Sequence, residues 1–217
     1  MTSSTAYPTA VLASGSGTNL QAVIDRSRAG TLPLGIRIVV SNRAGAYALE
    51  RAKAAGVATL VMPFATGSSR TEYARELASA VKKSGAQLIL LLGWMHVLAP
   101  EFLNAGFAGV LNLHPSYLPD DPSADEVMLP DGSRSKVFRG PHALRDALRA
   151  NVRTTGATLI EITPEVDRGP VLARRTFELR ADDTVESALE RLHLVEQEVV
   201  NDGVLAWLHA HAPAVVR

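Results

Sequence analysis

The sequence predicts an α/β fold: an open, mostly parallel, twisted sheet of about seven strands, flanked by helices and followed by a long C-terminal helix. Three observations carry this reading. Short apolar runs alternate with longer amphipathic segments, the rhythm of parallel strands joined by crossover helices. Runs such as LILLL (88–92) and IRIVV (36–40) are almost wholly apolar, which suits strands covered on both faces. Glycines stand just past amphipathic segments at Gly30, Gly56 and Gly85, where left-handed backbone stops a helix. That arrangement is Rossmann-like.

Taken in order, strands are expected over 10–13, 36–41, 59–62, 88–92, 109–113, 157–162 and 171–177. Helices are expected over 19–29, 46–55, 70–83, 142–150 and, longest, 184–208. One stretch breaks the rhythm. Residues 119–139, PDDPSADEVMLPDGSRSKVFR, are too long and polar for an ordinary connection of about 4–6 residues. Within it Val127-Met128-Leu129 and Lys136-Val137-Phe138 flank Pro130-Asp131-Gly132-Ser133, two β-prone runs around turn residues. It reads either as an ordered hairpin flap or as a disordered surface loop.

The chain has 217 residues, which fits a single domain over 1–217 carrying an insertion at about 120–139. It contains no cysteine, which removes disulfides, thiolate metal sites and cysteine nucleophiles together. Its 22 basic and 22 acidic residues balance, so no basic excess marks a nucleic-acid binder, although one local phosphate site is compatible. The N-terminal stretch lacks a basic segment followed by an apolar run, and no apolar run approaches the ~20 residues of a membrane helix. A cytoplasmic protein without membrane or nucleic-acid partners is expected, as monomer or homodimer.

Three places suggest chemistry. Ser14-Gly15-Ser16-Gly17-Thr18-Asn19-Leu20 follows the first strand and opens the first helix. Glycine permits close backbone approach, and free amides at a helix start attract an anion. Leu20 stands where a dinucleotide fingerprint has its third glycine, and no Gly-Lys-Ser/Thr follows, so the loop suits a phosphate monoester or is a plain tight turn. Next, Asn112 and His114 alternate along the strand leading into Pro115, so both face one side at a carboxyl strand end. An amide and an imidazole there suit acyl transfer, by oxyanion stabilisation and proton movement, or a histidine that caps backbone groups. Lastly, Asp167 lies in the turn Glu165-Val166-Asp167-Arg168-Gly169-Pro170 between the last two strands, either as an ordinary turn residue or as a third polar group.

In this order, the glycine loop, Leu91-Leu92-Gly93-Trp94-Met95-His96-Val97-Leu98, Asn112-Leu113-His114-Pro115-Ser116-Tyr117-Leu118-Pro119 and Asp167-Arg168-Gly169-Pro170 resemble the folate-dependent formyltransferases, in particular the phosphoribosylglycinamide formyltransferase branch. Shorter runs agree: Ser41-Asn42-Arg43-Ala44, Thr155-Gly156-Ala157-Thr158 and Asp182-Asp183-Thr184-Val185-Glu186-Ser187. The resemblance implies a formyl group moved from N10-formyltetrahydrofolate, a cosubstrate, to the amine of glycinamide ribonucleotide, without metal. It implies catalytic roles for Asn112, His114 and Asp167, and phosphate or ribose contacts from Gly17, Thr18, Asn19 and Glu196. It implies a folate site at Arg70, Trp94, Met95, His96, Val97, Leu98, Ile162, Thr163 and Val166.

The chain departs from the family pattern at four points. The 119–139 stretch is longer than the usual connection by roughly a dozen and a half residues. Arg168 stands where a small residue is frequent, His96 where arginine is common, and Ile160 where histidine is common. These leave open a paralogue that formylates another amine, on a phosphorylated or nucleotide-linked sugar. A phosphate-binding α/β protein without transfer is the rival from another class.

Overall fold

The computed structural model describes residues 6–215. Nine strands and six helices alternate much as the apolar pattern predicts: β1 (Tyr7–Leu12), α1 (Thr18–Arg28), β2 (Leu34–Ser41), α2 (Tyr47–Ala54), β3 (Ala58–Val61), α3 (Arg70–Lys83), β4 (Leu88–Leu91), α4 (Pro100–Leu103), β5 (Gly109–His114), β6 (Glu126–Met128), β7 (Arg134–Lys136), α5 (Ala143–Arg149), β8 (Thr154–Glu161), β9 (Val171–Glu178) and α6 (Val185–His211). Seven strands form one sheet in the order β3-β2-β1-β4-β5-β8-β9, and β6 and β7 form a separate ribbon. By backbone proximity the chain divides into two compact units: one runs to Asn112 and resumes at Leu208, and the other is Leu113–Trp207.

In the first unit β1 is flanked by β2 and β4, and all its pairings are parallel, as are β2 with β3 and β4 with β5. Leu88, Ile89, Leu90 and Leu111 are fully buried, which is what continuous apolar runs require of strands covered on both faces. β1 starts at Tyr7, three residues before the apolar run, and admits Pro8 because its pairing with β4 begins only at Thr9. α3 spans the predicted 70–83, with the Ser69 hydroxyl accepting from Glu72 N at 3.3 Å as its N-cap.

In the second unit β8 and β9 pair antiparallel, from Thr154↔Glu178 to Ile160↔Val171. α6 begins with reciprocal bonds between Thr184 and Ser187, each backbone N–H donating to the other's hydroxyl oxygen. The 119–139 stretch holds the ribbon, β6 paired antiparallel with β7 from Glu126↔Lys136 to Met128↔Arg134. Its second arm begins at Arg134, two residues before the Lys136 that the β-prone run suggested. The turn is the reason. Asp131 Oδ1 accepts from Ser133 N at 2.9 Å and Ser133 Oγ at 2.6 Å, and Leu129 N donates to Ser133 O, so the ladder resumes at once. Val137 N still reaches Asp125 O at 2.9 Å before Phe138 turns away.

Candidate active site

The second unit brings His114 and Asp167 together. His114 is the last residue of β5, and its side chain is 4% exposed. Its Nε2 lies 2.8 Å from the carbonyl oxygen of Phe138. A carbonyl can only accept, so Nε2 carries the hydrogen and Nδ1 is the nitrogen turned to Asp167, 3.4 Å from Oδ2. That separation is an ion-pair distance, longer than the ~2.7–2.9 Å of a tight charged hydrogen bond. The same carboxylate oxygen accepts from Gly140 N at 2.7 Å.

The turn shapes the carboxylate's position. Asp167 has φ 53°, a left-handed conformation that aspartate tolerates better than most side chains. Two residues on, a Cβ at Gly169 would sit 1.6 Å from the Glu161 carbonyl oxygen, so only glycine fits beside the end of β8. Glu161 N in turn donates to Pro170 O at 3.0 Å.

The 119–139 stretch packs against this region rather than standing off it. Val127, Leu129 and Val137 form one apolar cluster with Tyr117, Leu118 and Ile160. Ile160 is 2% exposed and forms the floor beneath the ribbon. Phe138 enters another cluster with Ala143 and Ala147 of α5. Three arginines tie the rest. Arg174 donates to Leu118 O and Asp120, its guanidinium 4.9 Å over the Tyr117 ring. Arg139 donates to Pro122 O at 3.1 Å and Ala124 O at 2.8 Å, and Arg168 donates to the same Pro122 carbonyl. Burial and the neighbouring Arg168 charge push the Arg139 guanidinium below its ordinary range.

Also in this unit, Glu196 of α6 is 5% exposed and accepts from His193 Nδ1 at 2.8 Å. Of the expected folate residues here, Ile162 and Thr163 are half-buried and Val166 is exposed at the turn.

In the first unit, Gly17 is the N-cap of α1 with φ 71°, and a Cβ there would lie 2.7 Å from the Ala48 Cα. No side chain caps that helix start, and no acid lies in its first turn, so its leading amides suit an anion. The loop is held from outside by Ala48 N to Gly15 O at 3.1 Å and Arg51 Nε to Ser16 O at 2.9 Å. Thr18 is half-buried and Asn19 buried just behind it.

Arg70, His96, Val97 and Leu98 line a hollow with Phe64, Tyr73 and Leu77. Met95 and Val97 expose their apolar side chains, while Trp94 is buried 6.0 Å from the His96 ring. Burial first, then the Arg70 and Arg43 charges, push the His96 imidazole below its ordinary value of 6.5. His96 is therefore a neutral ring near neutral pH, and Arg70 supplies the fixed charge at this hollow.

Motif reading alone misses the Phe138 carbonyl, the Gly140 amide, the Arg139–Arg168 pair and His193. Two of these carry a signal in the sequence: Arg168 as a departure beside Asp167, and His193 by its i,i+3 helical spacing from Glu196.

Residues 8–204 match the formyl transferase family, and the chain belongs to it. Among relatives, phosphoribosylglycinamide formyltransferase of Escherichia coli (strain K12) is 32% identical over 197 residues, covering 91% of this chain and 84% of that protein. The trifunctional purine biosynthetic protein adenosine-3 of Gallus gallus is 34% identical over 187 residues, 86% of this chain but only 17% of the longer protein. Among solved structures, glycinamide ribonucleotide transformylase 1 from Symbiobacterium toebii matches with TM-score 0.79 and 36% identity, covering 90% of this chain and 84% of that one. Phosphoribosylglycinamide formyltransferase from Bacillus halodurans matches with TM-score 0.80 and 29% identity, over 94% and 96%. Membership makes the chain a formyltransferase.

Proposed function

We propose that the chain transfers the formyl group of N10-formyltetrahydrofolate to the primary amine of glycinamide ribonucleotide, a step of purine biosynthesis. The observation that carries this reading is the His114–Asp167 pair at the end of β5, with Gly140 N fixing the carboxylate. The names of the relatives supply the acceptor amine.

The neutral amine attacks the formyl carbon, forming the new C–N bond, and the bond from that carbon to N10 then breaks. Negative charge grows on the formyl oxygen in between. The Asn112 side-chain amide donates to it, and one such donor is worth roughly 3–4 kcal/mol. His114, protonated, adds positive charge beside it and works through Nδ1, because Nε2–H is given to Phe138 O. Asp167, facing Nδ1 of that ring, relays the proton that leaves the amine towards N10. Gly17, Thr18 and Asn19 hold the substrate phosphate through leading amides of α1, and Glu196 takes the ribose. The folate is assigned to Arg70, Trp94, Met95, His96, Val97 and Leu98 in the first unit, and to Ile162, Thr163 and Val166 in the second.

The test is turnover. The protein, incubated with N10-formyltetrahydrofolate and glycinamide ribonucleotide, produces deformylated folate followed by its absorbance. No turnover on this amine but turnover on another phosphorylated sugar amine would transfer the assignment to a paralogue. Failure to bind folate would overturn it.

A further inference from the structure

We propose that the 119–139 insertion is a positioning element of the catalytic histidine, presenting the Phe138 carbonyl to His114 Nε2, with Arg139 and Arg168 as its latch. This rests on the role assigned to His114 above. A histidine ring has two nitrogens, and the group bonded to one decides which face of the other meets the chemistry. Here the carboxylate faces one nitrogen at 3.4 Å, and the tighter 2.8 Å contact on the other comes from a residue 24 positions away in the insertion. The main chain, not a side chain, sets the tautomer.

One carbonyl is held in place from both sides. Val137 is anchored in the cluster floored by Ile160, and Phe138 in the cluster against α5. Arg139 then spans the carbonyls of Pro122 and Ala124, closing the insertion's last residue onto its own beginning. Arg168, next to Asp167 in sequence, reaches the same Pro122 carbonyl, so the latch joins the two segments that contact the His114 ring. Asp125 lies 3.6 Å from Arg139 and offsets part of the charge gathered there. The geometry assigns a purpose to three departures at once. The extra residues bring the carbonyl, Ile160 gives them an apolar floor, and Arg168 fastens them.

The experiment compares wild type with Arg139→Ala, Arg139→Lys and Arg168→Ala. Arg134→Ala, on the exposed end of the same ribbon, serves as the control. Two quantities are read: the His114 tautomer by long-range ¹H–¹⁵N NMR on histidine-labelled protein, and kcat and KM for both substrates. In wild type the neutral ring carries its hydrogen on Nε2. In Arg139→Ala and Arg168→Ala an Nδ1–H population emerges and kcat falls by about 10- to 100-fold, the scale of an ångström's misplacement. KM changes by less than about threefold, as expected where ground-state binding is intact. Arg139→Lys keeps the charge but loses the fork, and falls between. Arg134→Ala matches wild type in both readings. A folded Arg139→Ala variant with the wild-type tautomer and a kcat within about twofold of wild type overturns the proposal. If wild type turns over no glycinamide ribonucleotide, the functional reading fails separately. The positioning claim is then decided by the tautomer alone, supported by its shift in Arg139→Ala and overturned by its persistence.

Discussion

Replacing Gly169 by alanine tests whether the turn geometry sets the position of the Asp167 carboxylate, to which the proposed function gives the proton relay. A Cβ there would lie 1.6 Å from the Glu161 carbonyl oxygen, whereas real Cβ contacts essentially never fall below 3.0 Å, so the two backbones must part by about 1.4 Å. The obstacle is a strand carbonyl and not the end of a flexible side chain, so the turn is the part that moves. Asp167 lies two residues away, and its carboxylate is already 3.4 Å from His114 Nδ1. A displacement of about an ångström lengthens that contact beyond ion-pair range and costs on the order of 10²-fold in kcat. Loss of the Glu161 N to Pro170 O bond adds about 1 kcal/mol of destabilisation. The assay is folate absorbance under saturating substrates together with thermal unfolding. Gly45→Ala is the control, since nothing lies within 4 Å of a Cβ at that position. Gly169→Ala with wild-type kcat and Tm would refute the argument that this glycine aims Asp167.

Other substitutions bear on the same reasoning. His114→Ala and Asp167→Asn each lower kcat by at least about 10²-fold, the lower end for proton-transfer groups, and near-wild-type rates in either would remove the assigned roles. Ile160→His places an imidazole in the apolar floor under the ribbon and lowers stability by about 1–3 kcal/mol, read by urea unfolding. An unchanged midpoint would mean that the ribbon does not rest on that residue. Asp183 is held well below the usual carboxylate range, first by the Arg191 guanidinium at 2.7 Å, then by Arg180 N and the Ser187 hydroxyl. A depressed carboxylate contributes stability above its unfolded value near ~3.9 and loses it as pH falls through the folded one. Asp183→Asn therefore lowers Tm at neutral pH, and its deficit shrinks below about pH 4; a pH-independent deficit would contradict this.

Much of the scaffold was legible because it is built from local signals. α3 occupies the 70–83 expected from its apolar spacing, and its Ser69 cap is a one-residue signal. Glycine-rich and N-x-H-P segments point to two strand ends, and these are the ends to which the proposed function assigns phosphate binding and catalysis. α4 escaped notice because four residues show no period, although Pro100 at its first turn is a start signal. β-propensity in Val137 and Phe138 points to a second ribbon arm two residues later than the observed one, whose register the aspartate turn decides. The contact of His114 with Phe138 was not legible at all. It involves a backbone atom, which carries no residue preference, brought across 24 positions by packing that depends on Ile160 and two arginines. Charge balance, by contrast, hid arginines working in opposite ways: Arg174 paired to Asp120, and Arg139 and Arg168 together on one carbonyl.

The place of β1 between β2 and β4 has a consequence for synthesis on the ribosome. The strand ends at Leu12, but its second neighbour is complete only at Leu91, about 80 residues later. At ~5–20 residues per second, the chain carries one unpaired edge of this interior strand for about 4–16 s. The nascent sheet therefore cannot grow outward in the order in which it is made. Its middle is laid down early and zipped from the second side late, so the segment Ala10-Val11-Leu12-Ala13, fully buried at the end, spends longest in need of shelter.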